Sequence, residues 1–170
     1  TCIPPYLSKI DFKERTLVFG AGKASAAMAQ VVEQYTSSAL EGLVITRYGY
    51  AVECKQIKIV EAGHPVPDKK GMSAAASMLK TASRLTEKDF VLCLISGGGS
   101  SLLSLPAPGL SLANKQEITS KLLKCGATIH EINCVRKHLS AIKGGRLAFA
   151  CSPAHLITLT ISDVPGDDLS

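Results

Sequence analysis

The chain runs to 170 residues, one domain's worth, and 46% of them are apolar, which excludes a disordered polymer and leaves material for a sizeable core. Nineteen basic residues against 14 acidic ones give a net charge of +5, yet no basic run exceeds two residues and aromatics reach only 5%, so the interleaved stripe of a nucleic-acid binder is missing. No apolar stretch nears the roughly 18–20 residues that cross a bilayer, and no basic-then-apolar leader opens the chain.

Residues 16–19 form a short β-rich run. Gly20-Ala21-Gly22 follows, and Lys23 then opens an Ala-, Met- and Val-rich stretch to about Tyr35, which reads as strand, tight turn and helix. Residues 42–46 and 56–61 read as the second and third strands, the latter closed by Gly63-His64-Pro65. Across 68–85, Gly71, Ala75, Met78, Ala82 and Leu85 recur at three- and four-residue steps, predicting a helix with Asp68 as its N-cap and a small-residue face pressed on a sheet. Residues 89–96 are apolar through their middle, as in a parallel strand covered on both faces, and Gly97-Gly98-Gly99 follows.

A further helix is expected over 111–125, with Ile118, Leu122 and Cys125 on its packed face. Thr128 and Glu131 make a capping box for the next, and Ile132, Val135, Leu139 and Ile142 repeat at helical spacing up to Gly144-Gly145. Residues 155–161 read as a fifth strand. Strands and helices alternate throughout, which predicts an α/β fold with an open, mostly parallel sheet and helices on both faces. None of the six cysteines has C-x-x-C spacing, so zinc is disfavoured and free thiols in a reducing compartment, cytoplasm or mitochondrial matrix, are expected.

Ligands of such folds bind beyond the carboxyl ends of the strands, so the loops after Phe19, Ile95 and Ile161 are expected to meet. In the first, Gly20 and Gly22 permit a sharp turn, the helix start directs N–H groups at an anion, and Lys23 adds a cation; a tight turn with a solvated lysine accounts for it equally well. In the second, Ser96-Gly97-Gly98-Gly99-Ser100-Ser101 has more glycine than a turn needs, favouring a phosphate or carboxylate laid against bare backbone. Asn133, Arg136, Ser140 and Lys143 form a polar stripe beside the apolar one and suit an oxyanion. After the fifth strand, Asp163 and Asp167 either hold Mg2+ or take a proton, or serve the turn alone. In Gly63-His64-Pro65-Val66-Pro67-Asp68 a structural turn is favoured over a ligand contact by His64.

Taken in order, Gly20-Ala-Gly-Lys-Ala24, Gly63-His-Pro-Val-Pro-Asp68, Ser96-Gly-Gly-Gly-Ser100, Asn133-x-Val-Arg-Lys-His-Leu-Ser140, Lys143-Gly-Gly145 and Ser162-Asp-Val-x-Gly-Asp167 resemble the class II glycerate kinases, also called glycerate 2-kinases and, in older naming, hydroxypyruvate reductases. The resemblance implies a Rossmann-like three-layer sandwich followed by a smaller carboxyl-terminal domain, with the active site between them. It implies ATP-dependent phosphorylation of D-glycerate to 2-phosphoglycerate with Mg2+. On the matching positions, Lys23, Arg136 and Asp163 would be catalytic; Gly22, Ser96, Gly97, Gly98, Gly99, Ser100 and Lys143 would hold ATP; Asp163 and Asp167 would hold Mg2+. The family continues past Asp167, so residues 1–170 are expected to be a truncated amino-terminal domain that does not turn over alone. A small-molecule partner is expected, without nucleic acid or membrane, and the oligomeric state is left open. Two other functions stay in view: an NAD(P)-dependent hydroxypyruvate reductase and a non-enzymatic sugar-phosphate-binding domain.

Overall fold

A computed structural model describes residues 2–13 and 15–162. Five strands, β1 (Arg15–Ala21), β2 (Ala39–Arg47), β3 (Lys58–Ala62), β4 (Phe90–Ser96) and β5 (His155–Ile161), form one sheet in the order β3-β2-β1-β4-β5. Every neighbouring pair is parallel. The helices are α1 (Pro4–Leu7), α2 (Ser25–Tyr35), α3 (Lys69–Ala82), α4 (Gly99–Leu102), α5 (Leu112–Lys124), α6 (Ile129–His138) and α7 (Arg146–Cys151). The chain starts at the centre, winds outward through β2 and β3, then returns through α3 to lay β4 on the other side of β1. That reversal puts a crevice between the carboxyl ends of β1 and β4, where doubly wound sheets bind their ligands.

Side chains alternate across the sheet and feed two cores. Leu17 and Phe19 of β1 and Val91 of β4 pack with Ala75 and Met78 of α3 and Leu147 of α7. Val18, Leu92 and Leu94 pack on the opposite face with Met28, Ala29 and Val32 of α2 and Leu7 of α1. This is the expected three-layer α/β sandwich, and the apolar run of β4 is buried on both sides as its composition requires.

Three expectations need correction. β1 runs on through Gly20 and Ala21, because Gly20 serves close strand packing and not a turn: a methyl there would lie 2.7 Å from the Leu94 carbonyl oxygen. α6 stops at His138, well short of Gly144-Gly145. Past it, the buried Ser140 hydroxyl donates to the Leu105 carbonyl at 3.1 Å and accepts the N–H groups of Ile142 at 3.3 Å and Lys143 at 3.2 Å. The Ala141 N–H also donates to Leu105, at 2.9 Å. The backbone is thereby captured by a neighbouring segment, and Ser140 and Lys143 lie on a turn, not on a helical stripe. In α5 the expected packed face forms only in part: Ile118 and Leu122 are half-buried, Cys125 is exposed, and the one buried residue of the helix is Lys115. The caps at Asp68 and at Thr128 with Glu131 form as expected.

Candidate active site at the switch point

The loops after β1 and β4 are bound directly to each other. The Lys23 N–H donates to the Gly97 carbonyl at 2.9 Å and the Ala24 N–H to Ser96 Oγ at 3.0 Å. Ser25 Oγ lies 3.1 Å from Ser96 Oγ, both residues buried. The Ser25 N–H turns back to the Gly22 carbonyl at 3.3 Å, and the Gly22 N–H donates to Ile45 at 3.1 Å. The N–H groups of Lys23, Ala24 and Ser25 at the start of α2 are therefore engaged inside the protein. What the first loop offers outward is the Lys23 side chain. Gly22 is required because its φ of +149° is unfavourable for any side chain and a methyl would strike Ser96.

The second loop is the more open one. Gly98 has φ +84° and caps α4, so it too is a glycine position. Its carbonyl accepts the Ser101 N–H at 3.2 Å and the Ser101 hydroxyl at 3.1 Å. Among the described residues no acceptor takes the N–H of Gly98 or Gly99. A methyl placed on Gly98 would come 2.7 Å from His64 Nε2 and 3.5 Å from Cε of Lys23. The bare backbone thus sits between the imidazole and the lysine stem, so the loop after β3 joins those after β1 and β4; the expected loop after Ile161 lies, past Ser162, outside the described residues.

His64 had been assigned to a structural turn, and the turn is real: Asp68 accepts the Gly71 N–H at 2.9 Å, the Tyr48 hydroxyl at 2.8 Å and the Gly63 N–H. Burial raises the affinity of its carboxyl for a proton, but these donors and Lys70 outweigh that and hold it below the ordinary carboxylate value. The same turn carries the imidazole to Gly98.

On the other flank of the glycine loop, Lys143 Nζ donates to the Ser100 carbonyl and to Ser100 Oγ, the latter at 3.2 Å. Arg136 reaches the same place from α6, and with Lys143 and Ser100 it lines a cavity of about 520 Å3. A smaller cavity of about 410 Å3 beyond them adds Asn133. Lys115 of α5 also lines the larger cavity; sequence reasoning missed it. The signal was there, since Lys115 falls with Leu112, Ile118 and Leu122 on the face expected to pack: a cation interrupting an apolar stripe.

No carboxylate lines either cavity among the described residues. Burial first, then Arg136 and Lys115, push the Lys143 ammonium down to about 7. Burial first, then Arg136, lower Lys115 to about 8. Burial also lowers Arg136.

Of the residues expected in the site, Gly22, Lys23, Ser96, Gly97, Gly98, Gly99, Ser100, Arg136 and Lys143 are brought to this sheet edge. Asp163 and Asp167 lie outside the described residues. Among the described residues no group of three His, Cys, Asp or Glu side chains is placed to hold a metal ion, and no helix is long and apolar enough to cross a membrane.

A doubly wound parallel sheet with two cross-bound loops at its switch point, one glycine-rich, and cations on either side defines a Rossmann-like α/β domain. The chain belongs to the family described as "Domain of unknown function (DUF4147)", whose model matches residues 4–170. It is similar to a putative hydroxypyruvate reductase of Agrobacterium vitis, 54% identical over 157 residues, which is 92% of this chain and 41% of that protein. It is similar to the glycerate 2-kinase of Pyrococcus horikoshii, 45% identical over 161 residues, 95% of this chain and 36% of that protein. The crystal structure of glycerate kinase from Thermotoga maritima superposes with a TM-score of 0.92 at 44% identity, covering 98% of this chain and 41% of that one. The chain spans about two fifths of the length of these relatives.

Proposed function

We propose that the protein phosphorylates D-glycerate to 2-phosphoglycerate at the expense of ATP, and that this domain supplies the glycine loop and cations while a second domain completes the cleft. The observation that carries this reading is the convergence of Lys23, His64 and the Gly98 and Gly99 N–H groups, which no acceptor among the described residues takes, on one flank of the loop, with Lys143 and Arg136 on the other. Phosphoryl transfer asks a protein chiefly for positioning and charge neutralisation. Here Lys23, Arg136 and Lys143 would neutralise phosphate oxygens, and the loop from Ser96 to Ser100 would let the phosphates approach bare backbone. The likeness to proteins named glycerate 2-kinase and glycerate kinase supports the substrate and the reaction class.

Mg2+, when bound, would supply positive charge that offsets the charge of the phosphates. Its holders in this reading are Asp163 and Asp167, whose carboxylates are hard oxygen donors, the right chemistry for that ion. The reaction would take place in the cytoplasm, with a mitochondrial setting as the alternative.

The reductase reading draws on the name of the Agrobacterium vitis relative. Against it, an NAD site wants an acidic residue near the carboxyl end of the second strand. Glu41 sits low in β2, bound to Arg15 at 2.6 Å, and Arg47 ends the strand with its guanidinium 4.7 Å from the Tyr50 ring centroid.

Phosphorus NMR of the protein in its full natural length, mixed with ATP, Mg2+ and D-glycerate, tests the proposal. A new phosphomonoester at the 2-position with matching ADP is the expected result. Intact ATP, with NAD(P)H oxidised by hydroxypyruvate in a parallel cuvette, would hand the protein to the reductase reading.

A further inference from the structure

We infer that Lys115, Arg136 and Lys143 form one receptor for a phosphoryl oxyanion, in the cavity bounded by α5, α6 and residues 65–67. The inference extends the kinase reading by naming where a phosphate rests, and its test needs no turnover.

Three successive elements, α5, α6 and the turn that follows α6, each deliver one cation to the same cavity of about 520 Å3. Lys115 comes from the first turn of α5, with only 8% of its surface exposed. Arg136 comes from the last turn of α6. Lys143 comes from the turn that the buried Ser140 hydroxyl builds, and it is already anchored on Ser100 of the glycine loop. Ser104 and Ser120 add hydroxyls to the same wall, while the Thr119 hydroxyl is spent on the Lys115 carbonyl at 2.8 Å.

No Asp or Glu among the described residues shares the lining, so the three positive groups repel one another inside a partly desolvated space. The lowered proton affinities of all three agree with that repulsion and burial. A carboxylate would offset one charge of three. A phosphoryl group, with close to two charges and three acceptor oxygens, matches the set better, and the planar guanidinium of Arg136 suits two of those oxygens at once. The apolar part of the wall, from Pro65, Pro67 and Leu112, can take the body of the molecule that carries the phosphate.

The experiment is calorimetric titration of the full-length protein and its Lys115→Met and Lys115→Arg variants with inorganic tripolyphosphate, with ATP and with D-glycerate, at one salt concentration. A thermal melt of each variant verifies folding, and Lys115→Gln replaces Lys115→Met should the latter fail to fold. Tripolyphosphate and ATP are expected to bind the wild type and to weaken roughly 10- to 100-fold in Lys115→Met, the loss of one charge-assisted hydrogen bond, with Lys115→Arg close to the wild type. D-glycerate affinity should be unmoved. Unchanged tripolyphosphate affinity in Lys115→Met, or a loss confined to D-glycerate, overturns the inference, the latter in favour of a carboxylate pocket. Tripolyphosphate binding that depends on Lys115, in a protein that leaves ATP intact in the NMR experiment, would sink the kinase reading and leave this site standing.

Discussion

Gly99→Ala is a test in which the sign of the effect carries the information. Gly99 opens α4 and does not lie in the positive-φ region, so its backbone accepts alanine. If nothing else touched it, the exchange would stabilise the chain by about 0.4–1 kcal/mol, through the entropy it removes from the unfolded state. The structure places the new methyl 2.7 Å from the Ala21 carbonyl oxygen and 3.4 Å from its carbonyl carbon. Ala21 cannot yield, being fully buried and paired with Ile45 on one side and Ile95 on the other. Overpacking of this kind costs about 1–3 kcal/mol, so the net change is a loss of roughly 0–2.6 kcal/mol once the entropic gain is subtracted. For a chain of this size that lowers the melting temperature by up to about 10 °C, at roughly 2–4 °C per kcal/mol. Circular-dichroism melts of Gly99→Ala beside Gly49→Ala provide the reading. Gly49 has φ +79° and open space around it, so its cost is conformational alone. A higher melting temperature for Gly99→Ala would refute the claim that the glycine loop is wedged against the end of β1.

Three further outcomes are expected. Ser96→Ala removes the acceptor of the Ala24 N–H and the partner of Ser25 Oγ at a buried position, so it should destabilise by about 1–3 kcal/mol in urea titration and loosen the first loop, raising KM for the nucleotide more than it lowers kcat. The carboxyl of Asp89, buried at 4% exposure, is held below its ordinary value first by the Thr86 N–H at 2.7 Å, then, against burial, by the Thr86 hydroxyl and Arg15. The unfolded state therefore binds the proton first on acidification, and stability present above about pH 4 drains away below it; Asp89→Asn should be less stable than the wild type at pH 7, with the gap closing in acid melts toward pH 3. Lys143 is the opposite case: its ammonium falls from 10.5 to about 7 in the folded chain, so the cost of keeping it charged is complete below pH 7 and disappears as pH rises toward 10.5. Lys143→Met should accordingly raise stability most at pH 6 and least at pH 10, and a gap constant with pH would contradict the desolvated placement of this lysine.

How much of this was legible in the sequence follows from the range of the interactions that decide each feature. The alternation of strands and helices, the buried β4, the Asp68 cap and the Thr128–Glu131 capping box rest on contacts within a few residues, and all of them form as the pattern requires. Gly20 was misread because a glycine that serves a turn and one that lets two strands close up look identical in one dimension; the Leu94 carbonyl that settles it is 74 positions away. The overextended α6 has the same origin. Val135, Leu139 and Ile142 keep helical spacing, but Ser140 finds the Leu105 carbonyl, and a long-range hydrogen bond outweighs the local period.

The cation cluster is the instructive case, because its members fail opposite tests. Arg136 and Lys143 were found from a stripe that does not exist as a helix, and they meet anyway, since the turn at Ser140 folds Lys143 back toward α6. Lys115 was passed over because it occupies a position where an apolar residue would be routine. A buried lysine with no acid beside it lowers stability, and no local pattern rewards it. Such a residue makes physical sense only when the charge it is missing comes from outside the described fold. A conflict between local preference and position is therefore the informative signal here, and it would have pointed to Lys115 from the helical spacing of Leu112, Ile118 and Leu122 alone. α5 already meets α6 and donates from Gln116 to the Pro67 carbonyl at 3.1 Å, and an anion held in the inferred receptor would tie these elements further. Protection of the α5 amides from hydrogen exchange should then rise when tripolyphosphate is added, and should fail to do so in Lys115→Met.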